Sequence, residues 1–282
     1  MKPNLTLKVW LKRARWSARR ALTRARWGAA MAEVPAVLGN AMPKSGSHLI
    51  IQVLQGLTRI GPFVDPGFPP VNRNQANDKL PDDAVLANIL RLQPGDIAYG
   101  YVQARPPFVE AVTAPGRAMV FVSRDPRDMI VSHVFYATKM HPGHGMHTYY
   151  TQTLQTMEER IDAAIRGVEI PGAELSPIRA KYEAYLGWWS TPGVLCLRFE
   201  DLILQRDAAL NRILDYLETR GFTPQVTRPE AVATLTQAIQ PKKSGTFRKG
   251  KPGNWREHFT EQNLANFYAQ TGDLLEKLGY ER

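Results

Sequence analysis

The stretch that decides the fold runs from residue 34 to residue 57 and reads V-P-A-V-L-G-N-A-M-P-K-S-G-S-H-L-I-I-Q-V-L-Q-G-L. The apolar run over residues 34–41 predicts a buried strand, and the apolar run over residues 48–59 predicts a helix. Pro43 stops the strand, and the small residues after it let backbone N–H groups converge where the helix begins. Unpaired amides and the positive end of the helix dipole attract anions there, and Lys44 adds a cation. This stretch therefore predicts a phosphate-binding loop between a strand and a helix.

A second anion-binding region follows from residue 118 to residue 136, A-M-V-F-V-S-R-D-P-R-D-M-I-V-S-H-V-F-Y. A buried strand is predicted to end at Ser123, Arg124 begins a loop, and residues 125–128 open a helix. The Arg124 guanidinium and the Ser132 hydroxyl both suit phosphate oxygens, and we expect them near one site.

A third region, F-R-K-G-K-P-G-N-W-R over residues 247–256, is a basic turn with two glycines before the C-terminal helical segment. Glycine at such a turn permits close approach of the backbone to a ligand.

In order and spacing these regions resemble the sulfotransferase family, which takes the sulfuryl group from 3′-phosphoadenosine-5′-phosphosulfate (PAPS). In that family P-K-S-G-T binds the 5′-phosphosulfate, R-x-P-x-D-x-x-x-S binds the 3′-phosphate, and R-K-G-x-x-G-D-W-K closes over it. The resemblance covers roughly residues 34–280 and implies a P-loop NTPase-like fold, a three-layer α/β sandwich with a mainly parallel sheet. Alternating strands and helices along the chain favour the same fold class.

The resemblance also implies a set of site residues. Lys44 would stabilise charge on the leaving phosphate. The donor-binding set is Lys44, Ser45, Gly46, Ser47, His48, Arg124, Ser132, Phe199, Arg248, Lys249 and Gly250. No metal is expected, because His141, His144 and His147 lie in a Pro/Gly loop without acidic or cysteine ligands nearby.

The sequence does not decide which residue is the general base. The family usually has a histidine just after its second strand, where this chain reads Y-G-Y-V-Q over residues 99–103. Tyr101 is our first candidate, although a phenol with a pKa of about 10 needs activation by a neighbouring cation, and His48 is the second. Another residue could serve instead, or the chain could lack transferase activity.

Charge separates the chain, at residue 32, into an N-terminal segment and a sulfotransferase domain over residues 33–282. Nine cations and no acid lie in residues 1–27, against a net charge of +10 for all 282 residues. Apolar residues recur there at helical spacing, so a basic amphipathic helix is predicted, either on an anionic membrane surface or packed on the domain.

No nucleic-acid partner is expected, because no recognised binding motif accompanies the charge. The single cysteine, Cys196, and the lack of a stretch of about 20 apolar residues favour a cytoplasmic, at most peripheral, protein.

The sequence bears on three candidate functions for this chain. The first is a sulfotransferase that acts on a hydroxyl or amine of a small molecule, glycan or lipid. A P-loop kinase would need the loop G-x-x-x-x-G-K-[ST], which is absent here because Lys44 precedes the only glycine of the loop. A sulfonucleotide-binding, membrane-docking protein without transferase activity is the third.

Overall fold

The computed structural model describes residues 3–243 and 250–282, with the backbone alone for residues 3–9, 12 and 13. The strands are β1 (Ala36–Ala41), β2 (Ile97–Gly100), β3 (Arg117–Ser123), β4 (Val168–Ile170), β5 (Ala173–Leu175) and β6 (Val194–Arg198). The α-helices are α1 (Pro3–Trp27), α2 (Ala30–Glu33), α3 (Ser47–Leu57), α4 (Asp82–Leu90), α5 (Pro106–Thr113), α6 (Pro126–Phe135), α7 (Met157–Arg166), α8 (Ile178–Leu186), α9 (Phe199–Leu204), α10 (Arg206–Glu218), α11 (Arg228–Ala238), α12 (Glu261–Thr271) and α13 (Leu274–Leu278).

The main sheet has the strand order β2-β1-β3-β6, and all of its neighbouring strands are parallel. Alternate side chains of β3 enter two different cores: Met119 and Phe121 pack with α4–α8, α12 and α13, whereas Val120 and Val122 pack with α3 and α9–α11. Helices therefore cover both faces of the sheet, which explains why its central strands read as continuous apolar runs. The predicted three-layer sandwich with a mainly parallel sheet is confirmed.

Several boundaries differ from the predictions. The sequence pattern predicts one helix near residues 260–278, but the structure has two, α12 and α13, separated at Gly272, whose positive φ of 55° favours glycine. The pattern also predicts a helix near residues 151–166, but α7 begins at Met157, where Thr156 caps it, and Tyr149–Thr153 form a π-helical turn. Helices α4, α5 and α11 and the antiparallel β4–β5 hairpin were not predicted from the sequence.

The predicted N-terminal helix forms, and part of it packs on the domain. Arg20 makes a buried ion pair with Asp96, and the Trp16 and Phe68 rings lie 5.3 Å apart. The opposite side exposes apolar groups, Trp10 and Leu22 being 65% and 70% exposed. None of the helices in the described part of the chain is both long and apolar enough to span a bilayer.

Candidate functional site

The loop between β1 and α3 has an unusual backbone. Lys44 and Gly46 both have positive φ, 67° and 94°. A Cβ on Gly46 would lie 2.6 Å from Cδ2 of Phe199, so the loop and this ring approach more closely than any other residue allows. Gly46 is also the N-cap of α3 and has no side chain to cap it. The N–H groups of Ser47 and His48 therefore have no partner in the described backbone and can bind an anion.

Lys44 directs its ammonium group into the same region. Its Nζ lies 3.8 Å from the centroid of the Tyr136 ring, in a cation–π contact. Tyr136 is the first residue of a π-helical turn after α6, so the loop and the end of this helix meet at the lysine.

Arg124 follows β3 directly, and parallel strands end at one edge of the sheet, which places it near the loop. The residue is 8% exposed, and its guanidinium carbon lies 4.5 Å from the centroid of the Phe199 ring. One nitrogen, Nη2, is 3.3 Å from Asp128 Oδ2. The buried Nε has no hydrogen-bond partner among the atoms that the structure describes. Buried polar atoms are nearly always satisfied, so this nitrogen fits an anionic ligand.

Asp128 connects the second region to the third. Its carboxylate accepts hydrogen bonds from the backbone N–H groups of Gly253 and Trp255, each at 2.8 Å. Arg124 Nη2 also lies 3.4 Å from the Lys251 carbonyl oxygen. The described part of the basic turn is thereby held beside Arg124, whereas Arg248 and Lys249 lie outside the described residues.

Both candidate bases lie at the loop. The Tyr101 hydroxyl donates a hydrogen bond of 3.0 Å to Ser47 Oγ. His48 lies on the first turn of α3 with part of its side chain exposed; burial of the rest and then the positive charge of Lys44 lower its pKa from 6.5.

One cavity of about 1120 Å³ joins these groups. The predicted site residues that line it are Lys44, Gly46, Ser47, His48, Tyr101, Arg124, Ser132, Phe199 and Gly250. Ser45 is fully buried behind the loop. Apart from Arg248 and Lys249, the predicted residues thus lie together.

Two kinds of residue at the site were not predicted from the sequence. Asp125 and Asp128 position the site rather than line it: Asp125 caps α6 and pairs with Arg127 at 2.7 Å. The D-P-R-D run, with an aspartate before a proline at a helix start, was the available signal. Lys181 on α8 lines the cavity, and its signal was a single charge near Tyr182 and Tyr185.

The histidine-rich loop packs against this cavity. His144 contacts His133 with ring centroids 5.2 Å apart, and Nδ1 of His147 is 2.8 Å from the Ala137 carbonyl oxygen. Within the described part of the chain, no three His, Cys, Asp or Glu side chains form a group that could hold a metal ion.

Comparison with known proteins assigns the family. A family model described as "Sulfotransferase domain" matches residues 107–279, more than half of the chain. The chain therefore belongs to the sulfotransferase domain family. The phosphate-binding loop precedes the matched residues.

Curated relatives agree with this assignment. The chain is 24% identical over 160 residues to the 3-alpha-hydroxysteroid sulfotransferase of Cavia porcellus, covering 50% of this chain and 50% of that protein. It is 24% identical over 215 residues to cytosolic sulfotransferase 11 of Arabidopsis thaliana, covering 68% of this chain and 55% of that protein. The chain spans about half the length of the curated relatives it matches.

Solved structures share the fold. A mouse sulfotransferase complexed with PAP (3′-phosphoadenosine 5′-phosphate) matches with a TM-score of 0.60 and 14% identity, covering 94% of this chain and 90% of that chain. Retinol dehydratase in complex with androsterone and inactive cofactor PAP matches with a TM-score of 0.56 and 16% identity, covering 92% and 86%.

Proposed function

We propose that this protein is a sulfotransferase that transfers a sulfuryl group from PAPS to a hydroxyl or amine of an acceptor. The observation that carries the proposal is that Lys44, the uncapped start of α3 and the partly unsatisfied Arg124 line one cavity. Two separate cationic sites in one cavity suit a donor with two separate anionic groups.

The residues of the cavity fit PAPS. The loop from Lys44 to Ser47 would hold the 5′-phosphosulfate, and Arg124 with Ser132 would hold the 3′-phosphate. Arg248, Lys249 and Gly250 would close the 3′-phosphate site, which is consistent with the anchoring of their turn by Asp128. When bound, PAPS supplies the sulfuryl group: sulfur bonds to the acceptor oxygen or nitrogen as its bond to the bridging phosphate oxygen breaks, and that oxygen keeps the electron pair.

Lys44 is proposed to stabilise the negative charge that develops on the leaving phosphate. Its ammonium group is positioned by the Tyr136 ring, so little reorganisation is needed during the reaction. The amides at the start of α3 act on the same charge.

The acceptor proton is proposed to pass to Tyr101 in its phenolate form or to the neutral imidazole of His48. Tyr101 is oriented by its bond to Ser47, a residue of the donor-binding loop. The lowered pKa keeps His48 neutral, and therefore basic, at pH 7.

The proposed acceptor is a hydroxyl-bearing small molecule, glycan or lipid. Two similar proteins support the small-molecule class: one is named for a hydroxysteroid, and the structure of the other contains androsterone.

We also propose that the enzyme is cytoplasmic and that its first 27 residues dock on an anionic membrane. The exposed Trp10 and Leu22 on a basic helix support this docking.

Donor binding tests the assignment before any acceptor is known. Titration calorimetry should give far tighter binding of 3′-phosphoadenosine 5′-phosphate (PAP) than of ATP, because ATP lacks the 3′-phosphate that Arg124 would bind. Equal affinities would exclude the proposed donor. A protein that binds PAP but turns over no acceptor from a panel of phenols, sugars and lipid-linked glycans would be the binding protein without transferase activity.

A further inference from the structure

Helix α8 directs one charged side chain into the cavity. Ala180, Lys181, Ala184 and Tyr185 line it, and the two alanines leave space around the lysine. The helix is fixed at both sides of the site: the Tyr182 hydroxyl donates to the Arg124 carbonyl oxygen at 2.7 Å, and the Tyr185 hydroxyl donates to the Tyr101 carbonyl oxygen at 3.4 Å. Lys181 is therefore held between the proposed donor site and Tyr101.

Lys181 forms no ion pair with any acid in the described part of the chain, and burial alone lowers its pKa to about 8. Two acids line the same cavity. Asp82 is already paired with Arg105 at 2.7 Å, and Glu174 is exposed on β5. The protein therefore places an amine in a desolvated position without a counter-charge.

Two histidines lie within electrostatic range of Lys181. Burial and then the charge of Lys181 lower the pKa of His133, whereas burial, His141 and Lys44 all lower the pKa of His144 more than Lys181 does. His133 lines the cavity, is 9% exposed, and has no hydrogen-bond partner for Nε2 among the described atoms. A ligand oxygen at this position would satisfy the imidazole and the amine together.

We propose that the acceptor carries an anionic group, a carboxylate or a sulfate ester, which Lys181 binds beside His133. The proposal rests on the proposed function, because it assigns the acceptor end of the same cavity. An unpaired, partly buried lysine is costly, whereas an anion that arrives with the ligand restores its charge and is bound by a charge-assisted hydrogen bond. The donor's own phosphates have other ligands, the loop at Lys44 and Arg124.

Matched probes test this site. PAP affinity is measured first, because a failure there contradicts the proposed function and is separate from the acceptor test. Binding of 4-hydroxybenzoate and of its neutral isostere 4-hydroxybenzyl alcohol is then measured by ligand-observed NMR, with and without saturating PAP. The variants are Lys181→Met, Lys181→Arg, and Lys139→Met, which removes an exposed lysine that does not line the cavity.

We expect the parent protein to bind the carboxylate at least about tenfold more tightly than the alcohol, with a preference that weakens as salt is added. Lys181→Met should remove the preference, while Lys181→Arg and Lys139→Met keep it. Equal binding of the probes, no binding of the carboxylate, or a preference that survives in Lys181→Met would overturn the proposal. If Lys181 were instead the general base, Lys181→Met would leave probe binding unchanged and lower turnover of charged and neutral acceptors alike.

Discussion

Arg124 and Asp128 form a buried ion pair one helical turn apart, and the same carboxylate binds two backbone amides of a turn 125 and more residues further along the chain. One side chain thus positions the guanidinium proposed for the 3′-phosphate and the turn proposed to close over it. Its loss should affect both.

Asp128→Ala should therefore weaken PAP binding and lower stability together. Breaking a buried pair leaves an uncompensated charge, at about 3–5 kcal/mol, and frees the turn at Gly253. Urea unfolding and PAP calorimetry measure the two effects. Asp215→Ala, which removes an acid whose side chain is 64% exposed in its pair with Arg228, is the control and should change neither by much. Parent-like PAP affinity in Asp128→Ala would show that the turn needs no such anchor.

Gly46→Ala should reduce PAP affinity more than a general glycine effect explains. The new Cβ would meet Phe199 at 2.6 Å and would require an alanine at a φ of 94°. Gly116→Ala is a matched control, because Gly116 has a φ of 75° but open space around its Cβ position. Equal loss of PAP affinity in the two variants would mean that the contact between the loop and Phe199 is unimportant.

Lys44→Ala should lower kcat far more than it weakens PAP binding, because the charge that Lys44 is proposed to stabilise develops as the bridging bond breaks. Arg124→Ala should do the reverse and mainly weaken PAP binding. Single-turnover transfer separates the two, with Lys139→Ala as a control for net charge. Transfer at the parent rate by Lys44→Ala would exclude a role for this lysine in leaving-group stabilisation.

The parts of the fold that sequence predicts are those set by local pattern. The strand, loop and helix around Lys44 follow from two apolar runs and a few small residues within 24 positions. The anchoring of Gly253 by Asp128 depends on tertiary contact, and no local signal in the third region reveals its partner. The missed helix α11 buries only Ala231, Val232 and Leu235, and it meets α3 where Gly56 permits close approach to Leu235. The direction of Lys181 depends on how α8 is rotated, which its tyrosines fix only in the folded protein.

The pH dependence of stability should report on Lys181. Its pKa of about 8 in the folded protein lies below the ordinary 10.5, so the unfolded chain binds more protons between these values and stability rises with pH across that window. Lys181→Met should therefore be most stabilised relative to the parent below pH 8, with the difference shrinking towards pH 10.5. His133 and His144 titrate below this window and do not contribute to it. A constant difference between the two urea-unfolding profiles would show that Lys181 has an ordinary pKa.

The missing base is tested by pairing substitutions with a pH profile. Tyr101→Phe should lower kcat by about 10²–10⁴, the range for a lost general base, and Tyr101→His should retain activity because imidazole titrates near neutrality. Ser47→Ala, which removes the partner of the Tyr101 hydroxyl and one hydroxyl of the donor-binding loop, should cause a smaller loss in kcat at saturating donor. If His48 is the base instead, His48→Ala carries the loss and Tyr101→Phe is nearly silent.

The pH dependence of kcat in the parent protein separates the two candidates further. Since the pKa of His48 is lowered from 6.5, activity that depends on it persists below pH 6.5 and falls at more acidic pH as the imidazole becomes protonated. Unchanged activity in both Tyr101→Phe and His48→Ala would exclude both residues as the base.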